Sequence, residues 1–418
     1  MAAEYDRTVS TAVDTRLESM RRDLDDLLFE MVGIDSQIPP YGDERKIAAF
    51  LASATEALGL GRGEIVALDS DRPNLLIRVP GAGTGPTLVL NGHIDTKPIG
   101  DAADLWRTDP LTATRVGDNI YGLGVSDMKA AVAAMIHSVA AIRSSGVELG
   151  GDVVLALVAD EEAGAEFGAR YVAPLLAGTV DACLIGEPSG WTRDWQGIHV
   201  ISRGLCCFQV RVHGTQMHSS LSDRMPTVHA NLEMARSMLD LVDDFDPAPI
   251  EHPLGSLRPT LNVGVTAQGG VFYGVVPGEA SFGSDLRTIP GMTEAGVHEY
   301  FDRWAARRSG DRSGATIDIE YDEVLKWIPV AEIDVGHPLV GAAIRATAEV
   351  LGEAPPLSMF PGTTDAPWFE ASGIPTLPSL GPGILTYCHG PNEFVRAEAV
   401  HEAARIYARI VLGYCGVV

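Results

Sequence analysis

Thr87-Leu88-Val89-Leu90-Asn91-Gly92-His93-Ile94-Asp95 is the stretch that decides the fold. The run Thr87 to Leu90 is short, has no polar alternation and stops at polar residues, which is the signature of a strand covered on both faces. Leu75 to Val79, Val153 to Ala159 and Ala182 to Ile185 repeat the pattern, and helical segments separate most of them. Such alternation predicts an α/β domain: a mixed, largely parallel sheet flanked by helices. Leu17, Met20, Leu24, Leu27, Leu28 and Met31 recur at steps of three and four, predicting one amphipathic opening helix, and Asp43 to Leu60 reads as a second.

Near residue 200 the period changes. Phe208, Val210 and Val212 alternate with Gln209, Arg211 and His213, as expected of a sheet with one wet face. Leu261, Val263 and Val265 do the same, then Ala280, Phe282 and Leu286, then Ile317, Ile319 and Tyr321, with helical segments at Val228 to Val242 and Met292 to Arg308. This order predicts an inserted ferredoxin-like βαββαβ domain over residues 201–325. Helix and buried-strand patterning resumes near His337 and ends in a helix from Ala397 to Tyr414, so residues 1–200 and 326–418 form the first domain.

A chain of 418 residues, 46% hydrophobic and 21% charged, can bury large cores, which excludes disorder and a disulfide-stapled miniprotein. Its net charge of -25 argues against nucleic acid or an anionic membrane as partner. Five cysteines without a C-x-x-C pair indicate neither a disulfide framework nor a thiolate zinc site. Met1 to Ser10 has no apolar core, and no later apolar run is read as membrane-spanning, so a cytoplasmic location is expected.

His93 and Asp95 lie two apart at the end of a buried strand, so an extended chain puts them on one face, where the carboxylate can orient a metal-binding imidazole. Taken alone, a histidine there is an ordinary loop-mouth residue. Asp127, just ahead of an alanine-rich helix, reads alone as a first-turn acid. Asp160-Glu161-Glu162 and Glu187 end two further buried strands, at the edge where open α/β sheets bind ligands. His389 sits in a loop rich in turn residues. Jointly, His93, Asp127, Glu162, Glu187 and His389 are nitrogen and oxygen donors with no thiolate among them, a set able to hold two divalent ions with one carboxylate shared.

With these residues the chain resembles the dinuclear zinc exopeptidases and deacylases that include acetylornithine deacetylase, succinyl-diaminopimelate desuccinylase and glutamate carboxypeptidase. The likeness is carried by Gly92 to Asp95, Gly100-Asp101 with Trp106 and Asp109-Pro110, Gly122 to Lys129, Asp160 to Glu162, Gly186 to Ser189, Gly362 to Asp365 and His389 to Glu393. It implies that His93 and Glu187 hold one metal, Glu162 and His389 the other, and that Asp127 bridges. It implies Glu161 as general base, His218 as a lid histidine for the oxyanion, and Arg287 as the grip on a substrate carboxylate. Zinc is the ion the resemblance implies, and manganese or cobalt also suits these ligands.

The implied reaction is hydrolysis of an amide C–N bond in a small carboxylate-bearing molecule, such as an N-acyl amino acid or dipeptide, by a homodimer joined through the lid domain. Gly274 stands where the family usually has asparagine, and Met217 where a small residue is common, so two substrate contacts differ. Those departures favour an alternative, an amidohydrolase or hydrolytic deaminase acting on a non-peptide C–N bond in a ureido compound or aromatic amine. A non-catalytic binding homologue would lack a ligand or the base, and none is missing.

Overall fold

The computed structural model describes residues 7–309 and 314–418. Met1 to Asp6, part of the N-terminal segment read as having no apolar core, lie outside them. The chain forms two compact units: one holds the residues up to Ser202, Ala331–Phe360 and Thr364–Val418, the other Arg203–Val330 and Pro361–Thr363.

In the first unit a six-stranded sheet runs in the order Glu64–Val66, Asn74–Val79, Val153–Val158, Leu88–His93, Ala182–Ile185, Thr376–Leu377. The last three pairings in that order are parallel and the first two antiparallel. Strands Leu88–His93 and Val153–Val158 are buried at every residue, as a sheet covered on both faces requires. Register then places the chemistry: His93 pairs with Val158, and Asn91 with Ile185. The residues that follow, Asp95, Asp160 to Glu162 and Glu187, therefore leave the sheet at one edge, beyond the carboxyl ends of parallel strands.

Helix Glu44–Ala57 starts where Asp43 caps it, its carboxylate accepting the Arg45 N–H at 2.8 Å. Helix Ala130–Ser144 is apolar all round and buried along nearly its whole length, the mark of a core helix. Together with the turn before it, Val125–Ser144 is long and apolar enough to cross a membrane, contrary to the sequence reading, yet its apolar window is buried inside the protein and only Arg143 and Ser144 at its end are exposed. The single opening helix is in fact two, Arg7–Ser19 and Arg21–Gly33, broken at Met20. Met20 N–H still bonds to Arg16 O and its own carbonyl accepts from Leu24 N–H, so the apolar spacing passes through the break unchanged and could not reveal it.

In the second unit four antiparallel strands stand in the order Thr260–Gly269, Glu279–Thr288, Gly204–His213, Thr316–Tyr321. Helices Ala230–Asp244 and Glu294–Ser309 complete the βαββαβ unit, with Phe208, Val210, Phe282, Leu286, Phe301 and Trp304 in its core. One expectation fails locally. The ladder shifts register between Val263 and Thr266, where Gly264 has φ 74°, and this bulge carries Val265 outward to 57% exposure.

Gly381 shows how closely backbones meet near the sheet edge: a Cβ there would lie 1.9 Å from the carbonyl oxygen of Gly186, the residue before Glu187. Gly381→Ala is therefore expected to lower stability by about 2–3 kcal/mol in denaturant unfolding. An unchanged midpoint would mean that the close approach costs nothing.

Candidate metal centre

His93 ends its strand fully buried, with Nδ1 3.0 Å from the backbone oxygen of Asp95 and 3.5 Å from its Oδ1. Because a carbonyl only accepts, Nδ1 carries the proton in the neutral ring and Nε2 keeps its lone pair for a metal. That Nε2 lies 3.0 Å from Asp127 Oδ1 and 3.7 Å from Glu187 Oε1. The orienting acceptor nearest the ring is thus the Asp95 main chain rather than its carboxylate. The carboxylate reaches across instead, Oδ2 accepting the Glu162 N–H at 3.1 Å.

The other oxygen of Asp127 faces the second imidazole. His389 Nε2 is 3.1 Å from Asp127 Oδ2 and 3.1 Å from Glu162 Oε1. Asp127 thus stands between two imidazoles, His93 at one oxygen and His389 at the other, with Glu187 beside the first ring and Glu162 beside the second. Donor atoms of His93, Asp127 and Glu162 all lie within 4.8 Å of one another, as do those of His93, Glu161 and Glu187.

Electrostatics favours cations at this place. Burial pushes Glu161 and Glu187 well above the usual carboxylate range, His93 opposes it, and neighbouring acids add to it. Burial likewise carries Asp365 to about 8, and its Oδ1 is buried without a hydrogen-bond partner. Burial disfavours the charged imidazole of His389, but Asp127 and Glu162 outweigh it and raise the group to about 11. For Asp127 the two imidazoles overcome burial and hold its carboxyl far below its ordinary value. Carboxylates outnumber nearby cationic groups, and the nitrogen and oxygen donor set suits divalent ions.

Residues to which the sequence reading gave no role hold this geometry. Glu393 accepts from the backbone N–H groups of Gly124, Ser126 and Asp127 and so shapes the loop that presents Asp127. Arg72 joins buried Glu44 at 2.6 Å and Asp160 at 2.7 Å. Asn74 accepts from Ala159 N–H at 3.0 Å and donates to Phe167 O at 2.8 Å, while Asp160 Oδ2 accepts the Phe167 N–H. Arg72 and Asn74 thereby clamp both ends of the turn that carries Glu161 and Glu162, where Asp160 has φ 67°. A charged residue beside Pro73 at a strand start was the visible signal, and nothing in local spacing ties it to residue 160. Lys97 Nζ pairs with Glu162 Oε2 at 3.1 Å and also donates to the Glu162 carbonyl.

The remaining expected site residues belong to the second unit. Met217 and His218 pair with Val276 and Val275, and Gly274, with φ 82°, accepts from Ser219 N–H through its carbonyl. His218 is exposed; its Nδ1 accepts the Ser220 N–H at 3.3 Å, so Nε2 carries the proton in the neutral ring. Arg287 lies within its strand, bonded to Asp285 at 3.2 Å and Thr363 Oγ1 at 3.4 Å. Arg203 is its neighbour: burial foremost, and then the Arg287 charge, pull the Arg203 guanidinium below its ordinary value.

A fold with paired histidines and clustered carboxylates at one sheet edge describes a metal-dependent hydrolase. Residues 89–413 match the peptidase family M20/M25/M40, and the chain belongs to that family. It is 28% identical over 348 residues to succinyl-diaminopimelate desuccinylase of Paracoccus denitrificans, covering 82% of this chain and 86% of that one. It is 24% identical to N-formyl-4-amino-5-aminomethyl-2-methylpyrimidine deformylase of Bacillus subtilis, over 97% of both chains. Among solved structures, human carnosine dipeptidase 1 superposes with a TM-score of 0.75 at 19% identity, over 99% of this chain and 100% of that one. The dipeptidase Dug1p of Saccharomyces cerevisiae reaches 0.78 at 17% identity, over 97% and 98% of the two chains.

Removing the Arg72 guanidinium leaves Glu44 and Asp160 buried without their cation. Arg72→Met should cost about 3–5 kcal/mol of stability and lower kcat with KM nearly unchanged, and Arg72→Lys should recover part of both. Unfolding curves and steady-state kinetics check this; a loss confined to KM would contradict a clamp on the Glu161 turn.

Proposed function

We propose that the protein hydrolyses the amide C–N bond of a small, carboxylate-bearing substrate, an N-acyl amino acid or dipeptide in the first instance. The observation that carries the reading is the division of the Asp127 carboxylate, Oδ1 to His93 and Oδ2 to His389. In this reading His93 and Glu187 hold one divalent ion, His389 and Glu162 another, zinc by preference, and Asp127 is shared. Ions held by these donors supply Lewis-acid polarisation of a carbonyl and acidify water.

Glu161, beside ligand Glu162 and facing the same cluster, takes the proton of the attacking water and passes it to the leaving nitrogen. His218 offers its Nε2–H to the oxyanion. Arg287, with Arg203 beside it, grips the substrate carboxylate through a bidentate fork. The second unit acts as lid and dimerisation domain. Leu232 and Leu239, 54% and 68% exposed on helix Ala230–Asp244, and the edge strand Thr260–Gly269 support pairing through it.

A second reading has the leaving group on a non-peptide nitrogen. Gly274 and Met217 favour it, as does the full-length likeness to a deformylase. A panel of N-acyl amino acids, dipeptides, N-formyl amines, ureido acids and aminobenzoates, read for released amine and for ammonia, separates the two.

Glu161→Gln should reduce kcat by about 10²–10⁴-fold while metal content stays near that of the parent; retained turnover would reject Glu161 as the base. If His218 acts across a dimer, mixing Glu161→Gln subunits with His218→Ala subunits should restore part of the activity, whereas verified mixed dimers without recovery would place its action within one chain.

A further inference from the structure

Lys97 is a cation built against a residue that the proposed function treats as a metal ligand. Its ammonium lies 3.1 Å from Glu162 Oε2 and also donates to the Glu162 carbonyl, and its side chain is about two-thirds buried, at 34% exposure. It lines one cleft with Trp106, Asp127, Glu162, His389 and Glu393. Among the described residues the His93 and Glu187 group has no such partner: His93 pairs with Asp95, Asp127 and Glu187, all of them acids.

We propose that Lys97 competes with the cation at the Glu162–His389 position and makes the two cation positions unequal, the His93–Glu187 position filling first. This rests on the dinuclear reading above. Two effects of Lys97 oppose each other. Its hydrogen bonds orient Glu162, which helps a ligand, while its charge claims one carboxylate oxygen and repels a divalent ion held by the other. Orientation does not depend on it alone. The Glu162 N–H is held by Asp95 Oδ2, Oε1 faces His389, and the turn is closed by Ala163 N–H to Asp160 O and Gly164 N–H to Glu161 O. Removing the ammonium therefore leaves Glu162 in place and relieves the repulsion, so charge is the effect that survives. The consequence is a protein that is half-loaded at scarce metal and fully loaded only when metal is plentiful.

Calorimetric titration of chelator-stripped protein with zinc, without substrate, tests this. The parent should show two binding steps, the weaker at least tenfold apart from the tighter. Lys97→Met should tighten the weaker step about tenfold and leave the tighter one alone, and Lys97→Arg, which keeps the charge, should behave like the parent. Melting curves confirm that each variant is folded. Two steps in the parent that are equal, or a weaker step that Lys97→Met leaves unchanged or weakens further, overturn the proposal while the dinuclear reading stands. Fewer than two bound ions in folded parent and variant alike overturn the dinuclear reading and this proposal with it.

Discussion

The interaction on which the rest depends is one carboxylate shared by two imidazoles. Asp127 holds His93 on one oxygen and His389 on the other, at 3.0 and 3.1 Å, although the three residues are drawn from widely separated parts of the chain. Charged groups buried in this way are tolerated only when paired or when they bind ions. The surplus of acids around them makes ion binding the arrangement that the protein is organised to support. The sheet sets the edge, the Glu393 carboxylate shapes the Asp127 loop, and the Arg72–Asn74 clamp fixes the turn of Glu161 and Glu162.

The proposed function gives the two units different roles. The first, with its parallel strands and largely buried core helix, would mount the metal-binding side chains, which must be held closely to act together. The second carries the exposed His218 and the neighbouring guanidiniums of Arg203 and Arg287, groups suited to a substrate's oxygen and carboxylate. Hydrolysis as a class follows from family membership and the donor set. In the proposed function the choice of substrate rests on contacts such as Gly274 and Met217, because specificity is set by pocket contacts more than by water activation.

Much of this was legible in the sequence, for identifiable reasons. Strands buried on both faces advertise themselves as unbroken apolar runs, so Leu88–His93 and Val153–Val158 were found, and with them the edge where the histidine and carboxylate donors gather. The alternating strands of the second unit were found by their period of two. A one-residue break at Met20 was invisible because it preserves helical spacing, and the bulge at Gly264 was invisible because alternation says nothing about register. The roles of Arg72, Asn74, Lys97 and Glu393 escaped for another reason. Each acts through a partner distant in sequence, or through backbone N–H groups, and neither leaves a periodic or local signature.

Where cations bind decides whether Asp127 is a shared ligand. A crystal structure grown in saturating zinc, with anomalous scattering used to locate the metal, should show two peaks on opposite sides of the Asp127 carboxylate, one beside His93 and Glu187, the other beside His389 and Glu162. A single peak, or zinc bound elsewhere while these residues remain bonded to one another, would contradict that sharing.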